Sequence, residues 1–266
     1  MQWSYFDSYS YNTQKTESLS LSEWVLRDNW SYFLFQYGKI VLRTRREALK
    51  KVYGKKEWAD SSFEIFRLIE KTGGEFHISG MESIENTGEP VVFISNHIST
   101  LETMVFPGLI APRRDVTFVV KDSLVKHPLF GPVMRSRDPI IVGRTDPRKD
   151  FEKVMTIGTD LLSKGISIVV FPQSTRSDVF KPQEFNSIGV KLAKKANVKV
   201  VPVAIKTDFW GNGKIIKEIG TLDHKKPVMI NFGDPFQITG TGKEENQRII
   251  DFIISNLKVW NGKIAE

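Results

Sequence analysis

Short apolar runs rich in Val, Ile and Phe alternate with helical stretches from residue 75 onward. Continuous apolar runs are typical of strands that a sheet buries on both faces, and the intervening helices then cover those faces. The pattern predicts strands over 76–80, 91–95, 116–120, 140–142, 166–171, 198–205 and 228–232, and helices over 100–110, 147–163, 185–196 and 243–260. We therefore predict an α/β domain over 75–266, with a central mixed, largely parallel sheet flanked by helices.

The first 74 residues have a different pattern. Residues 1–18 are rich in Ser, Tyr, Asn and Thr, which predicts a loose arm, whereas 19–53 and 57–71 read as helices. Aromatic residues beside a basic end in the first helix suit a helix in the lipid interface, although the same aromatics could simply pack on the main domain. We predict that 1–74 is an N-terminal arm followed by a helical pair that associates with a membrane.

Charge and composition narrow the class of partner. The chain has 38 basic and 31 acidic residues, a net charge of +7, and no cysteine. The positive excess favours an anionic lipid or a phosphorylated substrate, and its dispersal along the chain argues against nucleic acid. The absence of cysteine excludes disulfides, thiolate metal sites and a cysteine nucleophile. Because no apolar run is long enough to span a bilayer, the protein is either soluble or peripheral. We expect peripheral attachment to the cytoplasmic side of a membrane.

A histidine and a carboxylate follow the predicted strand 91–95. His97 stands just beyond the strand after Asn96, and Glu102 follows five positions later at the start of a predicted helix. An imidazole can take a proton from a hydroxyl near neutral pH, and a carboxylate on its other nitrogen fixes the tautomer. Two structural readings stay open: Ser99 and Glu102 fit a helix capping box, and His97 could be a structural hydrogen-bonding residue.

A second group of polar residues follows the predicted strand 166–171. It comprises Gln173, Ser174, Thr175 and Arg176. A guanidinium among hydroxyl groups can cradle a phosphate, although a turn with a surface arginine would look the same. Lys121 and Arg144 also follow predicted strands. Ligands of α/β sheets bind beyond the carboxyl ends of the strands, so these groups should share one edge.

The order of these motifs resembles that of the glycerolipid acyltransferases, especially the lysophosphatidate acyltransferases. The resemblance covers about 76–207. The matching residues, block by block, are Asn96, His97 and Glu102; Lys121, Leu124, Pro128, Gly131, Gly143 and Arg144; Phe171, Pro172, Thr175, Arg176 and Ser177; and Val201, Pro202 and Val203.

This resemblance implies a reaction and roles for the residues. His97 would be the base, Glu102 its orienting acid, and Arg144 and Arg176 the ligands of the acceptor's phosphate. The wider substrate-binding set would add Asn96, Lys121, Gln173, Ser174 and Thr175. The donor would be acyl-CoA or an acyl carrier protein thioester, with its acyl chain in an apolar channel. The acceptor would be a lysophospholipid, and neither a metal, a cofactor nor an acyl-enzyme would be needed.

The chain departs from the family pattern on the acceptor side. Glu102 replaces the usual Asp, and Gln173 and Ser174 replace Glu and Gly. These changes leave two further possibilities open: a lipid acceptor other than lysophosphatidate, and a lipid-binding or acyl-CoA-binding protein without catalysis. A serine hydrolase using Ser99 or Ser174 is weakly indicated, since no nucleophile elbow surrounds either residue. We predict that the loop 208–213 is a surface turn, although it could also line the pocket.

Overall fold

The computed structural model of the protein describes residues 4–14, 29–85, 87–173, 175–213 and 219–265. The strands are β1 (Tyr11–Asn12), β2 (Phe76–Ser79), β3 (Val92–Ser95), β4 (Val116–Lys121), β5 (Ile140–Val142), β6 (Ser167–Val170), β7 (Val179–Phe180), β8 (Val200–Lys206), β9 (Val228–Phe232) and β10 (Lys263–Ile264). The α-helices are α1 (Trp30–Leu49), α2 (Lys55–Lys71), α3 (Glu82–Glu85), α4 (Leu101–Ile110), α5 (Asp122–Lys126), α6 (Gly131–Arg135), α7 (Pro147–Ser163), α8 (Ile188–Ala196) and α9 (Lys243–Val259).

Eight strands form one mixed sheet, in the order β1-β2-β9-β8-β3-β6-β4-β5. Strands β8, β3, β6, β4 and β5 are parallel neighbours, whereas β9 is antiparallel to β8. The carboxyl ends of these five parallel strands therefore meet at one edge, which we call the carboxyl edge. The predicted fold class is confirmed.

The sheet is covered on both faces, and every residue of its central strands β3, β6 and β8 is buried, most of them apolar. Val92 and Ile94 of β3 face a core that includes Leu192 of α8, and Phe93 faces the opposite core with Phe106 of α4. The second of these cores also contains buried residues of α1 and α2. Both faces thus exclude water, as expected for a parallel sheet between helices.

The N-terminal arm packs on this second core. Phe6 is only 7% exposed, β1 pairs with β2, and the Tyr11 hydroxyl donates to Glu70 Oε1 at 2.7 Å. The prediction of a loose arm is therefore wrong for residues 4–14, because aromatic side chains among the polar ones anchor it. Residues 15–28, where we predicted the arm's end and the start of the first helix, lie outside the described residues.

The other predicted strands and helices are present, with ends that differ from the prediction by at most three residues, except that α1 ends at Leu49, four residues early. The strands β1, β7 and β10 and the helices α3, α5 and α6 were not predicted, because elements of two to five residues are too short to show a period. Among the described residues, no helix has the length and apolar character needed to cross a bilayer.

Candidate active site

The turn between β3 and α4 brings His97 and Glu102 together at the carboxyl edge. His97 Nδ1 lies 2.8 Å from Glu102 Oε1, and the side chains are 13% and 0% exposed, respectively. The other ring nitrogen, Nε2, has no hydrogen-bond partner among the described residues, and the ring reaches solvent. The imidazole is thus held at one nitrogen and accessible to another molecule.

The Glu102 carboxylate is fixed by several donors. Oε1 also accepts from the backbone N–H groups of Ile98 and Ser99, at 2.7 and 2.9 Å. Oε2 accepts from the Thr207 hydroxyl at 2.6 Å and lies 3.1 Å from the Ser99 hydroxyl. Burial alone would raise the pKa of Glu102, but these hydrogen bonds and the one from His97 outweigh it and lower the pKa below its usual value. The hydrogen bonds therefore favour the carboxylate form of Glu102, which lies in the first turn of α4 and bonds back to the Ser99 amide as the glutamate of a capping box would.

Residues that follow β6 also contact His97 and hold it in place. The Phe171 ring stacks on the imidazole, with centroids 4.3 Å apart and planes 20° apart. Gln173, 4% exposed, accepts the His97 backbone N–H through Oε1 at 2.8 Å, and the Ser177 N–H donates to the His97 carbonyl at 3.0 Å. Ring and backbone are both constrained, so the imidazole has little freedom to turn away from the edge.

Two residues of the turn are buried and link the strands. The Asn96 amide donates to the Ile205 carbonyl and accepts from the Ile205 N–H, at 2.8 and 2.9 Å. It is 0% exposed, so it supports β3 against β8 and does not reach a substrate, unlike the substrate-binding role we expected. The Ser99 hydroxyl is also buried and donates to the Thr207 carbonyl at 2.9 Å. This environment speaks against Ser99 as a hydrolase nucleophile.

The expected phosphate ligands lie on the same edge. Arg176 donates to the Thr100 hydroxyl, beside the His97 turn. Arg144 has a left-handed backbone (φ 59°), and its N–H and that of Gly143 donate to the Asp150 carboxylate at 2.6 and 2.8 Å. Burial lowers the pKa of Arg144, Asp150 offsets part of that effect, and the charge of Arg176 lowers it further. The two guanidinium groups are therefore close enough to repel each other.

The remaining predicted site residues differ in position. Lys121 ends β4 and is exposed, two strands away from β3, and Thr175 is exposed beside Arg176. Ser174 lies outside the described residues.

The segment after β8 completes the site. Thr207 binds Glu102, and the Asn212 amide donates to the Ile98 carbonyl at 2.9 Å. Phe209 and Trp210 are 0% exposed, so the prediction of a surface turn over 208–213 is wrong: aromatic area draws this loop into the core. The sequence analysis missed Thr207, although the rule that identified His97, a polar residue just after a buried strand, applies to it equally.

Comparisons with known proteins agree with this arrangement. Residues 75–206 match the family model described as Acyltransferase. The chain is 28% identical over 166 residues to a 1-acyl-sn-glycerol-3-phosphate acyltransferase of Pseudomonas aeruginosa, covering 62% of each protein. It is 29% identical over 171 residues to the chloroplastic 1-acyl-sn-glycerol-3-phosphate acyltransferase LPAT1 of Arabidopsis thaliana, covering 64% of this chain and 44% of that protein. The matches thus span less than two thirds of these relatives.

A solved structure extends the similarity to the whole fold. The crystal structure of the 1-acyl-sn-glycerophosphate acyltransferase PlsC from Thermotoga maritima aligns with a TM-score of 0.63 and 18% identity. The alignment covers 92% of this chain and 98% of that one. At this identity the likeness concerns the fold alone.

Proposed function

Because the chain belongs to the acyltransferase family, we propose that it moves a fatty acyl group from an acyl thioester to the hydroxyl of a lysophospholipid, with 1-acylglycerol-3-phosphate as the acceptor. The observation that carries this proposal is the pair formed by His97 and Glu102, 2.8 Å apart, with the imidazole side chain still 13% exposed. The arginines beside it supply the charge that a phosphate monoester needs. The relatives named for this reaction support the choice of acceptor.

The mechanism uses the imidazole as a base and then as an acid. His97 Nε2 takes the proton of the acceptor hydroxyl while the oxygen attacks the thioester carbonyl carbon. Glu102 stabilises the imidazolium that forms, as the carboxylate of a catalytic triad does. The tetrahedral intermediate collapses, the carbon–sulfur bond breaks, and the imidazolium returns its proton to the leaving thiolate. The products are the acylated lipid and a free thiol.

The acceptor's phosphate is bound by Arg144 and Arg176, with Lys121 and Thr175 at the rim of the site. A guanidinium presents a planar fork of donors to phosphate oxygens, and repulsion between two arginines is relieved when a dianion lies between them. Ser174 belongs to the same binding set by its position in the sequence.

The N-terminal segment 1–74 supplies a surface for the membrane. On α1, Phe35, Leu42 and Leu49 recur every seven residues and are 65%, 47% and 54% exposed. Lys39 and Arg46 lie between them on the same face, because residues at i, i+4 and i+7 share one side of a helix. Apolar side chains interleaved with basic ones suit the headgroup region of an anionic bilayer. Peripheral attachment to the cytoplasmic leaflet would place the site beside its lipid substrates.

The direct test is release of free thiol from a long-chain acyl donor when a lysolipid is added, with mass spectrometry of the lipid product. His97→Ala should abolish turnover and keep the fold, since its ring is partly exposed. His77→Ala is a matched control, because the half-buried ring of His77 on β2 bonds to Asn12 alone among the described residues. Normal turnover by His97→Ala would refute the mechanism.

A second candidate is a lipid-binding or acyl-CoA-binding protein on the same fold that lacks catalysis. Gln173 and Ser174, which replace the acid and the glycine of the family motif, favour it. An acceptor panel of lysolipids and other hydroxylated lipids separates the two: binding without turnover of any acceptor supports the second candidate. Turnover of another acceptor would keep the chemistry and change the substrate.

A further inference from the structure

The side chain of Thr207 reaches the carboxylate that contacts His97. Thr207 follows β8 directly and is 0% exposed, and its hydroxyl donates to Glu102 Oε2 at 2.6 Å. A distance of about 2.5–2.7 Å is usual when a hydroxyl donates to a charged carboxylate, and such a bond is about twice as strong as one between neutral groups. Thr207 therefore stabilises the carboxylate form of Glu102.

The two oxygens of Glu102 have different kinds of partner. Oε1 contacts His97 Nδ1 and the backbone N–H groups of Ile98 and Ser99, all of which belong to the turn before α4. The shortest contact of Oε2 is with Thr207, 105 residues further along the chain. Thr207 thus ties the carboxylate to the end of β8, whereas the partners of Oε1 belong to the turn that carries the imidazole.

The position of Thr207 is itself well defined. Lys206 Nζ lies 2.9 Å from Asp208 Oδ1, and these two side chains are only 10% and 16% exposed. This ion pair spans Thr207, whose carbonyl accepts the Ser99 hydroxyl at 2.9 Å. The segment after β8 therefore presents the Thr207 hydroxyl to Glu102 at a fixed place.

The length of the Glu102 side chain suits this place. Glu102 lies in the first turn of α4 and is 0% exposed, so its backbone cannot shift without disturbing the buried start of the helix. Aspartate is shorter by one carbon–carbon bond, about 1.5 Å. If the carboxylate retracts by that length, the 2.6 Å contact becomes about 4 Å, which is beyond hydrogen-bonding distance. An aspartate at this position cannot keep both the His97 and the Thr207 contacts.

We propose that Thr207 is a positioning residue of the reaction and that it forms a matched pair with Glu102. The inference rests on the proposed function and names a further residue for it. Because Thr207 is buried, it acts through Glu102 and not on the substrate: it holds the carboxylate charged and in the place where it keeps the proton of His97 on Nδ1. Nε2 is then left to accept the proton of the acceptor hydroxyl.

The first test removes the hydroxyl, with a long-chain acyl thioester and lysophosphatidate as substrates. Thr207→Val keeps the shape of the side chain, and we expect kcat to fall about tenfold or more, because a hydrogen bond to a charged group is lost. The KM for lysophosphatidate should change less than about twofold, since ground-state binding is not altered. Thr207→Ser restores a hydroxyl and should recover most of the kcat.

Thr117→Val is the matched control. Thr117 on β4 is also buried and donates to the Arg137 carbonyl at 2.7 Å, two strands away from β3. It undergoes the same chemical change and should keep the wild-type kcat, with thermal unfolding as the check on folding. An equal loss of kcat in Thr117→Val would show that Thr207 has a packing role only.

The second test concerns the pair. Glu102→Asp should lower kcat at least as much as Thr207→Val, and the double variant Glu102→Asp/Thr207→Val should lower it little further, because the shorter carboxylate already lacks the Thr207 contact. Losses that multiply in the double variant would mean that the two residues act independently. Wild-type kcat in Thr207→Val or in Glu102→Asp would refute the pairing.

The tautomer of His97 decides the inference without turnover. Nitrogen-15 NMR shifts of the ring report which nitrogen carries the proton, and His97→Ala identifies the signals of this residue among the four histidines. The neutral ring should carry its proton on Nδ1 in the wild type and in Thr207→Ser, and Thr207→Val should lower that share. If the wild type turned over no acceptor, the proposed function would fail, and an unchanged share in Thr207→Val would separately refute the positioning role.

Discussion

Gln173 offers a test of how the base is held, because its side chain touches the backbone of His97 and not the ring. The contact is a 2.8 Å hydrogen bond from the His97 N–H to Gln173 Oε1, with Gln173 only 4% exposed. Gln173→Met keeps the length of the side chain and removes the acceptor. An unsatisfied buried donor costs about 1–3 kcal/mol.

That cost sets the size of the expected effect. If the whole of this free energy is lost from the stabilisation of the transition state through a misoriented His97, kcat decreases about 5- to 150-fold, since each 1.36 kcal/mol is tenfold in rate. KM for the acceptor should stay unchanged, because the arginines proposed to bind it are untouched. Gln173→Glu restores an acceptor, so it should recover most of the kcat lost in Gln173→Met.

The Gln173→Glu variant adds a measurement that would show no effect if Gln173 had only a structural role. A second carboxylate close to His97 attracts the positive charge that develops on the ring. The pH profile of kcat/KM should therefore change its shape in Gln173→Glu, while the profile of Gln173→Met keeps its shape at a lower height. Steady-state kinetics across pH, with thermal unfolding as a check on folding, measure both. Wild-type kcat in Gln173→Met would refute the positioning role.

Three further predictions concern acid stability, the acceptor and the membrane. Burial opposes the ionisation of Glu102, but its hydrogen bonds lower its pKa in the folded state. The ionised carboxylate therefore contributes its full stabilisation above the unfolded-state pKa of about 4.3, and this stabilisation is lost as the pH falls through the folded-state pKa. Denaturant unfolding of Glu102→Gln should therefore depend less on pH below about 4 than that of the wild type, and identical slopes would count against an ionised Glu102. Arg176→Lys should raise the KM for lysophosphatidate about tenfold through loss of the planar fork, while a neutral lysolipid acceptor shows no change. Phe35→Asp/Leu42→Asp should abolish flotation with anionic vesicles and leave the circular dichroism spectrum intact; continued flotation would place the membrane contact elsewhere.

The sheet and most of the candidate site could be predicted by applying one rule to the sequence alone. Buried parallel strands are continuous apolar runs, and function gathers where they end. His97, Gln173 and Arg144 all stand just after such runs, and the structure brings them to one edge. Thr207 also follows a buried strand, but a threonine hydroxyl alone does not indicate a catalytic or binding role.

Partners that are distant in sequence could not be predicted. Asn96 bonds to Ile205, and Ser99 bonds to Thr207, over separations of 109 and 108 residues. A sequence pattern reports residue types and periods, and it does not say which backbone group will satisfy a buried amide or hydroxyl. The same limit explains the loop after β8, where Trp210 packs at right angles to Phe33 of α1. Turn residues around an aromatic pair predict a surface loop, because the sequence does not show that a helix distant along the chain covers the aromatic side chains.

The Glu102 carboxylate contacts both the His97 ring and the Ser99 amide, so the contact expected of an orienting acid and the bond expected of a capping box occur together. One oxygen accepts from His97 and from the Ile98 and Ser99 amides, so the carboxylate that fixes the ring is itself fixed by the backbone that carries the ring. The second oxygen is held by Thr207, which ties the turn to the end of β8. A carboxylate with so many donors cannot rotate without leaving buried N–H groups unsatisfied, which is costly. The imidazole is therefore held in one orientation without a substrate, by a carboxylate in the first turn of α4.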